Sequence, residues 1–185
     1  IWPEHAIGFV AGPPKSFKSF LVRDMAFALA TGKPFLGRFE VPVPRTVLLI
    51  DHESSRAAFS DRIRKAEARF GIAPTLYLIS NRALSLEDPV DVDRLRLEIG
   101  SVRPDLTILD PLASFTRGDE NSAQQMGVVV RLLRGMRDEF GTGFAIVHHV
   151  LRVGPRLFDQ SALVGDAEDI FADAAPVAGE IIAIL

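Results

Sequence analysis

Residues 12–19 read Gly12-Pro13-Pro14-Lys15-Ser16-Phe17-Lys18-Ser19, and the fold is decided by how this stretch is understood. A short apolar run, Ala6 to Val10, precedes it, and a run suited to a helix, Phe20 to Ala30, follows. Strand, loop, Lys-Ser and helix in that order is the layout of a phosphate-binding loop. Consecutive backbone N–H groups point inward in such a loop, and the helix N-terminus adds a positive dipole. The layout makes Gly12, Pro13, Pro14, Lys15, Ser16, Phe17, Lys18, Ser19 and Phe20 the nucleotide-contacting set. Lys18 would reach the β- and γ-phosphates, and Ser19 would offer its hydroxyl to Mg²⁺. The pattern asks for glycine where Phe17 stands. If that position needs a left-handed backbone, a residue with a Cβ costs roughly 1–2 kcal/mol. Phe17 still keeps its N–H, so the departure argues for altered affinity. The competing reading is a Pro-Lys surface turn ahead of a helix.

Outward from this loop the chain alternates. Thr46–Ile50 is an apolar strand ending in Asp51-His52-Glu53, and Ser54-Ser55 offers an N-cap for an amphipathic helix to about Phe70. Gly71 and Pro74 break that helix, and Leu76–Ile79 is a third strand. A helix near 90–101 stops before Pro104, and Leu106–Leu109 is a fourth strand finishing on Asp110. The segment from Pro111 to Asn121 is rich in turn formers and charges. A helix from about Ser122 to Glu139 carries apolar residues at 126, 129, 130, 133, 136 and 140. Phe144–Val147 is a fifth strand capped by His148 and His149, and further strands are expected at Ile170-Phe171 and over 180–185. Strand and helix in alternation predict an α/β protein with a mostly parallel, twisted sheet and helices on both faces. Functional side chains in such sheets gather at the carboxyl ends of strands, which is where Asp51/Glu53, Asp110 and His148/His149 fall.

Each of these has two readings. Asp110 after four apolar residues suits a carboxylate that holds Mg²⁺, or an acid capping a turn. Glu53 is placed to polarise the water attacking the γ-phosphate, or simply to complement the next helix N-terminus. A zinc site at His148-His149 is disfavoured, because adjacent strand residues point oppositely and no further ligands stand at suitable spacing. A phosphate-sensing histidine fits better.

Length and composition set the outer bounds. The 185 residues suit one domain over 1–185, burying roughly 70% of the surface of the unfolded chain. With 48% hydrophobic and 24% charged residues, the composition is that of a soluble globular protein, and no apolar run spans a membrane. The start without Met or a signal-peptide layout reads as an excised core or a tagged form. Absence of cysteine excludes disulfides and fits a cytoplasmic location. A net charge of −3 provides no global basic field for nucleic acid.

Taken together, Gly12–Ser19, Leu48–Ser54, Leu109–Phe115, Gly118–Asn121 and Val147–His149 resemble the RecA-like ATPases over roughly residues 6–165. The likeness is nearest to the RepA-type hexameric replicative helicases of plasmids and phages and their AAA-type relatives. It implies a RecA-like core that assembles as a homo-oligomeric ring and hydrolyses ATP with Mg²⁺ at subunit interfaces, in DNA replication or recombination. Lys18 and Ser19 would be the Walker A pair, Asp110 the Walker B acid, Glu53 the water activator and His149 the γ-phosphate sensor. Loops 114–123 and 150–160 take the places that face the ring channel and single-stranded DNA. The family segment that supplies an arginine finger reads Phe158 to Gly165 here, without arginine, and nothing selects Arg152 or Arg156 in its stead. The resemblance therefore leaves an alternative in a different class, a nucleotide-gated regulatory or DNA-binding module with little hydrolysis. A small-molecule kinase ranks below both, as no mobile lid with clustered arginines is evident.

Overall fold

The computed structural model describes residues 1–80, 84–116, 123–149 and 182–184. Strands β1 (Ile7–Gly12), β2 (Val47–Asp51), β3 (Leu76–Ser80), β4 (Leu106–Asp110), β5 (Gly143–His149) and β6 (Ile182–Ile184) form one sheet in the order β3-β2-β4-β5-β1-β6. The first five run parallel, and β6 is antiparallel to β1. Among the described residues four α-helices connect the first five strands: α1 (Lys18–Thr31), α2 (Arg56–Phe70), α3 (Pro89–Val102) and α4 (Ala123–Phe140). The expected α/β architecture is therefore present. The strand expected over 180–185 corresponds to β6, whereas Ile170-Phe171 lies outside the described residues.

Two apolar cores lie on opposite faces of the sheet. On one face α1 and α2 cover Val10, Val47, Leu49, Ile108 and Val147. On the other, Leu95 and Ile99 of α3 and Val129, Leu133 and Met136 of α4 cover Leu48, Ile50, Leu109, Phe144 and Ile146. Strands β2 and β4 are buried along their whole length, which explains why they read as unbroken apolar runs. Strand β3 is the edge, and its Tyr77 and Leu78 stay exposed. Helix α1 is buried nearly all round, and Ala26, Ala28 and Ala30 let its backbone approach the sheet closely.

Local chemistry sets the ends. Gly32 closes α1 in a left-handed conformation with its N–H on the Ala28 carbonyl. Ser55 caps α2, accepting the Ala58 N–H at 3.3 Å, and Asp88 with Pro89 opens α3. Ser54, expected to share the capping of α2, is instead bonded to Asp51. No helix among the described residues is long and apolar enough to cross a membrane.

A candidate nucleotide site at the carboxyl edge of the sheet

The loop between β1 and α1 carries two left-handed residues that are not glycine, Lys15 at φ 65° and Phe17 at φ 63°. Phe17 is the N-cap of α1, so the conformation in which glycine is strain-free is the one this chain adopts with an aromatic. Its ring is 68% exposed and leans on Phe20, with centroids 6.1 Å apart. The side chain is thus turned to solvent beside Phe20.

Lys18 is 3% exposed and turned back along the loop. Its Nζ donates to the carbonyls of Gly12 at 2.9 Å and Pro13 at 2.6 Å, and to Ser16 Oγ at 3.1 Å. Ser16 Oγ itself donates to the Pro13 carbonyl at 2.8 Å. The ammonium therefore braces the loop it belongs to. Ser19 Oγ donates to Asp110 Oδ1 at 2.9 Å, joining the first turn of α1 to the end of β4 across 91 positions of sequence.

Parallel register does the rest. Asp51 and Asp110 are direct partners on β2 and β4, so two carboxylates stand side by side at the same edge. Asp110 is 2% exposed, and its carboxyl is pushed up to about 6, first by burial. The Ser19 hydroxyl and the Arg23 guanidinium oppose that push, while Asp51 and Glu53 add to it. Asp51 is equally buried and ties down the turn behind it. Its Oδ1 accepts the N–H groups of Glu53 at 3.1 Å and Ser54 at 2.9 Å, and its Oδ2 accepts Ser54 Oγ at 2.8 Å. Glu53 consequently sits on a backbone-anchored turn with its side chain exposed. His52, between the two acids, stacks on Phe115 at 4.3 Å, and burial holds its pKa below the ordinary value.

On the other side of β4, strand β5 separates β4 from β1, and His149 is the register partner of Gly12, the last residue of β1 before the loop. His148 pairs with Ala11, is buried, and meets Phe9 edge-on at 6.3 Å. The structure thus brings Gly12–Phe20, Glu53, Asp110 and His149 to one edge. Residues 117–122 and 150–160, with Arg117, Arg152, Arg156 and the segment Phe158–Gly165, lie outside the described residues.

Arg23 and Arg62 escape sequence reasoning, and so does the bonding role of Asp51 beyond its place at the strand end. Asp51 organises the turn that carries Glu53, Arg23 of α1 reaches Asp51 Oδ2 at 3.4 Å, and Arg62 of α2 donates to Ser54 Oγ at 2.7 Å. The one visible signal is the charged pair Arg23-Asp24 inside an otherwise apolar stretch of helix.

A family model described as an AAA domain matches residues 1–154, a span that contains every element of this edge. No curated protein matches the chain at a significant level. A loop with the spacing of a phosphate loop, an adjoining buried acid and this match agree with one another, and the chain belongs to the AAA domain family, an ATPase family of the P-loop class.

Proposed function

We propose that this protein binds ATP with Mg²⁺ at the Gly12–Phe20 loop and hydrolyses it, Glu53 activating the attacking water. The observation that carries the reading is the 2.9 Å bond between Ser19 Oγ and Asp110 Oδ1 at the mouth of the loop. Two hard oxygen donors converge there, and Mg²⁺ suits a site of one or two protein oxygens completed by phosphate and water. Ser19 and Asp110 would hold the ion, which neutralises charge on the phosphates.

The chain's own residues supply the remainder. Lys18 exchanges its carbonyl partners for phosphate oxygens, replacing neutral acceptors by charged ones. The α1 N-terminus adds its dipole. Glu53 accepts a proton from water, and the Asp51-bonded turn keeps its carboxylate from swinging away. His149, beside Gly12 in register, contacts the γ-phosphate. In its finer form the proposal is a RepA-type motor, a homo-oligomeric ring on single-stranded DNA in replication or recombination. That form rests on motif order, not on described geometry.

Glu53→Gln tests the chemistry. It should leave ATP affinity within about threefold and lower turnover by roughly 10²–10⁴-fold, read as ADP release with and without single-stranded DNA. Normal turnover by the variant overturns the assignment of Glu53. Tight binding with negligible wild-type turnover, unstimulated by DNA, favours the regulatory module.

A further inference from the structure

Phosphate chemistry has no use for Arg23, yet the side chain is 4% exposed and stands one helical turn after Ser19 on α1. Its neighbours Val22, Met25, Ala26 and Phe27 are buried and apolar. The guanidinium makes one long hydrogen-bonded contact, 3.4 Å from Nη2 to Asp51 Oδ2, and Nε and Nη1 have no hydrogen-bond partner among the described residues. Burying a cation so incompletely satisfied is costly, and an aliphatic residue of like volume is often as stabilising or more so. The bland reading of a structural ion pair therefore leaves the choice of arginine without a reason.

The contacts beyond Asp51 offer one. Asp51 receives the Glu53 and Ser54 N–H groups and the Ser54 hydroxyl. Ser54 Oγ in turn accepts Arg62 Nη1. The guanidinium carbons of Arg62 and Arg23 each lie 5.6 Å from the centre of the Phe20 ring, and Phe20 directly follows Ser19. Arg23, Asp51, Ser54, Arg62 and Phe20 thus form a closed circuit between the first turns of α1 and the turn between β2 and α2.

We propose that Arg23 is the positioning residue for Glu53, holding the Asp51-organised turn at a fixed place relative to the phosphate loop. This rests on the reading of Glu53 as the water activator. Arg23 touches neither nucleotide nor water in this scheme. It acts because a displacement of about 1 Å at a reacting group lowers rate roughly 10²-fold while binding energy elsewhere is kept. Arg23 also stands against the repulsion between the register partners Asp51 and Asp110, which would otherwise drive the turn off the β4 edge.

The test compares wild type with Arg23→Met and Arg23→Lys by amide hydrogen exchange in nucleotide-free protein, ATP affinity and turnover. In Arg23→Met the Glu53 and Ser54 amides should exchange at least about tenfold faster while β4 and β5 keep their protection. ATP affinity should stay within about threefold, turnover should fall about 10²-fold, and Arg23→Lys should recover most of both losses. Unchanged exchange at Glu53 and Ser54 overturns the proposal whatever the rates do. So does exchange accelerated equally throughout α1, β2 and β4 with affinity falling in step, since that marks a structural role. If wild type binds ATP without turning it over, the Glu53 reading fails, and the exchange arm still decides whether Arg23 holds the turn. Should Arg23→Met not fold, Arg62→Met severs the circuit at its half-buried end. It should loosen the same two amides to a smaller degree, and undisturbed protection there overturns the proposal.

Discussion

Replacing Asp110 with Asn should make the protein more stable, by an amount that pH controls. The Asp110 carboxyl is raised from 3.8 to about 6 in the folded chain, with burial the largest cause. A raised folded pKa means the native state binds this proton more tightly than the unfolded chain does. Its contribution is therefore fully present below pH 3.8 and is lost as pH rises through 6. The raised pKa corresponds to about 3 kcal/mol of stability, of which about half is lost at pH 5 and nearly all at pH 8. Asparagine keeps an oxygen for the Ser19 hydroxyl and carries no charge, so it escapes the penalty at either pH. For a chain of this size each kcal/mol moves the melting temperature by roughly 2–4 °C. Asp110→Asn should then melt about 6–12 °C above wild type at pH 8 and about half as far above it at pH 5. Thermal scans and urea titrations without nucleotide or divalent ions provide the measurement. Adding MgATP should stabilise wild type and leave the variant almost unmoved. A variant no more stable than wild type at pH 8, or a gap that fails to widen from pH 5 to pH 8, refutes the account of Asp110 as a buried, strained anion.

Other outcomes follow from the same geometry. Phe17→Gly removes a left-handed strain of about 1–2 kcal/mol and adds about 0.5–1 kcal/mol of unfolded-state entropy, so the urea midpoint should hold or rise slightly. A destabilisation above about 1 kcal/mol would mean that the exposed Phe17–Phe20 contact matters more than the backbone. Lys18→Ala should weaken ATP binding by roughly 10–150-fold in a fluorescent-nucleotide titration, the worth of about 1.5–3 kcal/mol for charged hydrogen bonds. Unaltered affinity would remove Lys18 from the site. Leu133→Ala, buried under α4 on the face opposite α1, should cost about 2–5 kcal/mol in urea denaturation. Nucleotide affinity of the folded fraction should not change, and a parallel loss would show that the two cores are not independent of each other.

Much of this was legible in residue order. Buried parallel strands announce themselves as apolar runs, and the residue after each run must fall at the carboxyl edge, which is how Asp51, Asp110 and His149 could be placed. Phosphate-loop spacing located Lys18 and Ser19, and the left-handed backbone of Phe17 was foreseeable from the glycine it replaces. Sheet order was not legible, because register between β2 and β4 or between β1 and β5 is settled by packing across long separations. For that reason the pairing of Asp51 with Asp110, and of Gly12 with His149, came only from the structure. Arg23 was hidden differently. A long polar side chain on a helix is ordinarily assumed to reach water, and only the burial of α1 around position 23 denies it that escape. Ser54 was misjudged because Ser is a generic cap, and nothing local tells which of two adjacent serines faces the strand end.

The register of β1 also bears on the order in which the protein can be built. Ile7 to Gly12 find their parallel partners only at Phe144 to His149, and the antiparallel neighbour comes later still, at 182–184. During synthesis β1 leaves the ribosome before β2 to β6 and waits for its partners, while β2, β3 and β4 can already assemble with one another. The proposed nucleotide cradle is thus among the last parts to gain a rigid support. A nascent chain stalled before β5 would hold all of Gly12–Ser19 and yet present no anchored loop to a phosphate. ATP offered to ribosome-bound chains of increasing length should be retained only once His149 has cleared the exit tunnel.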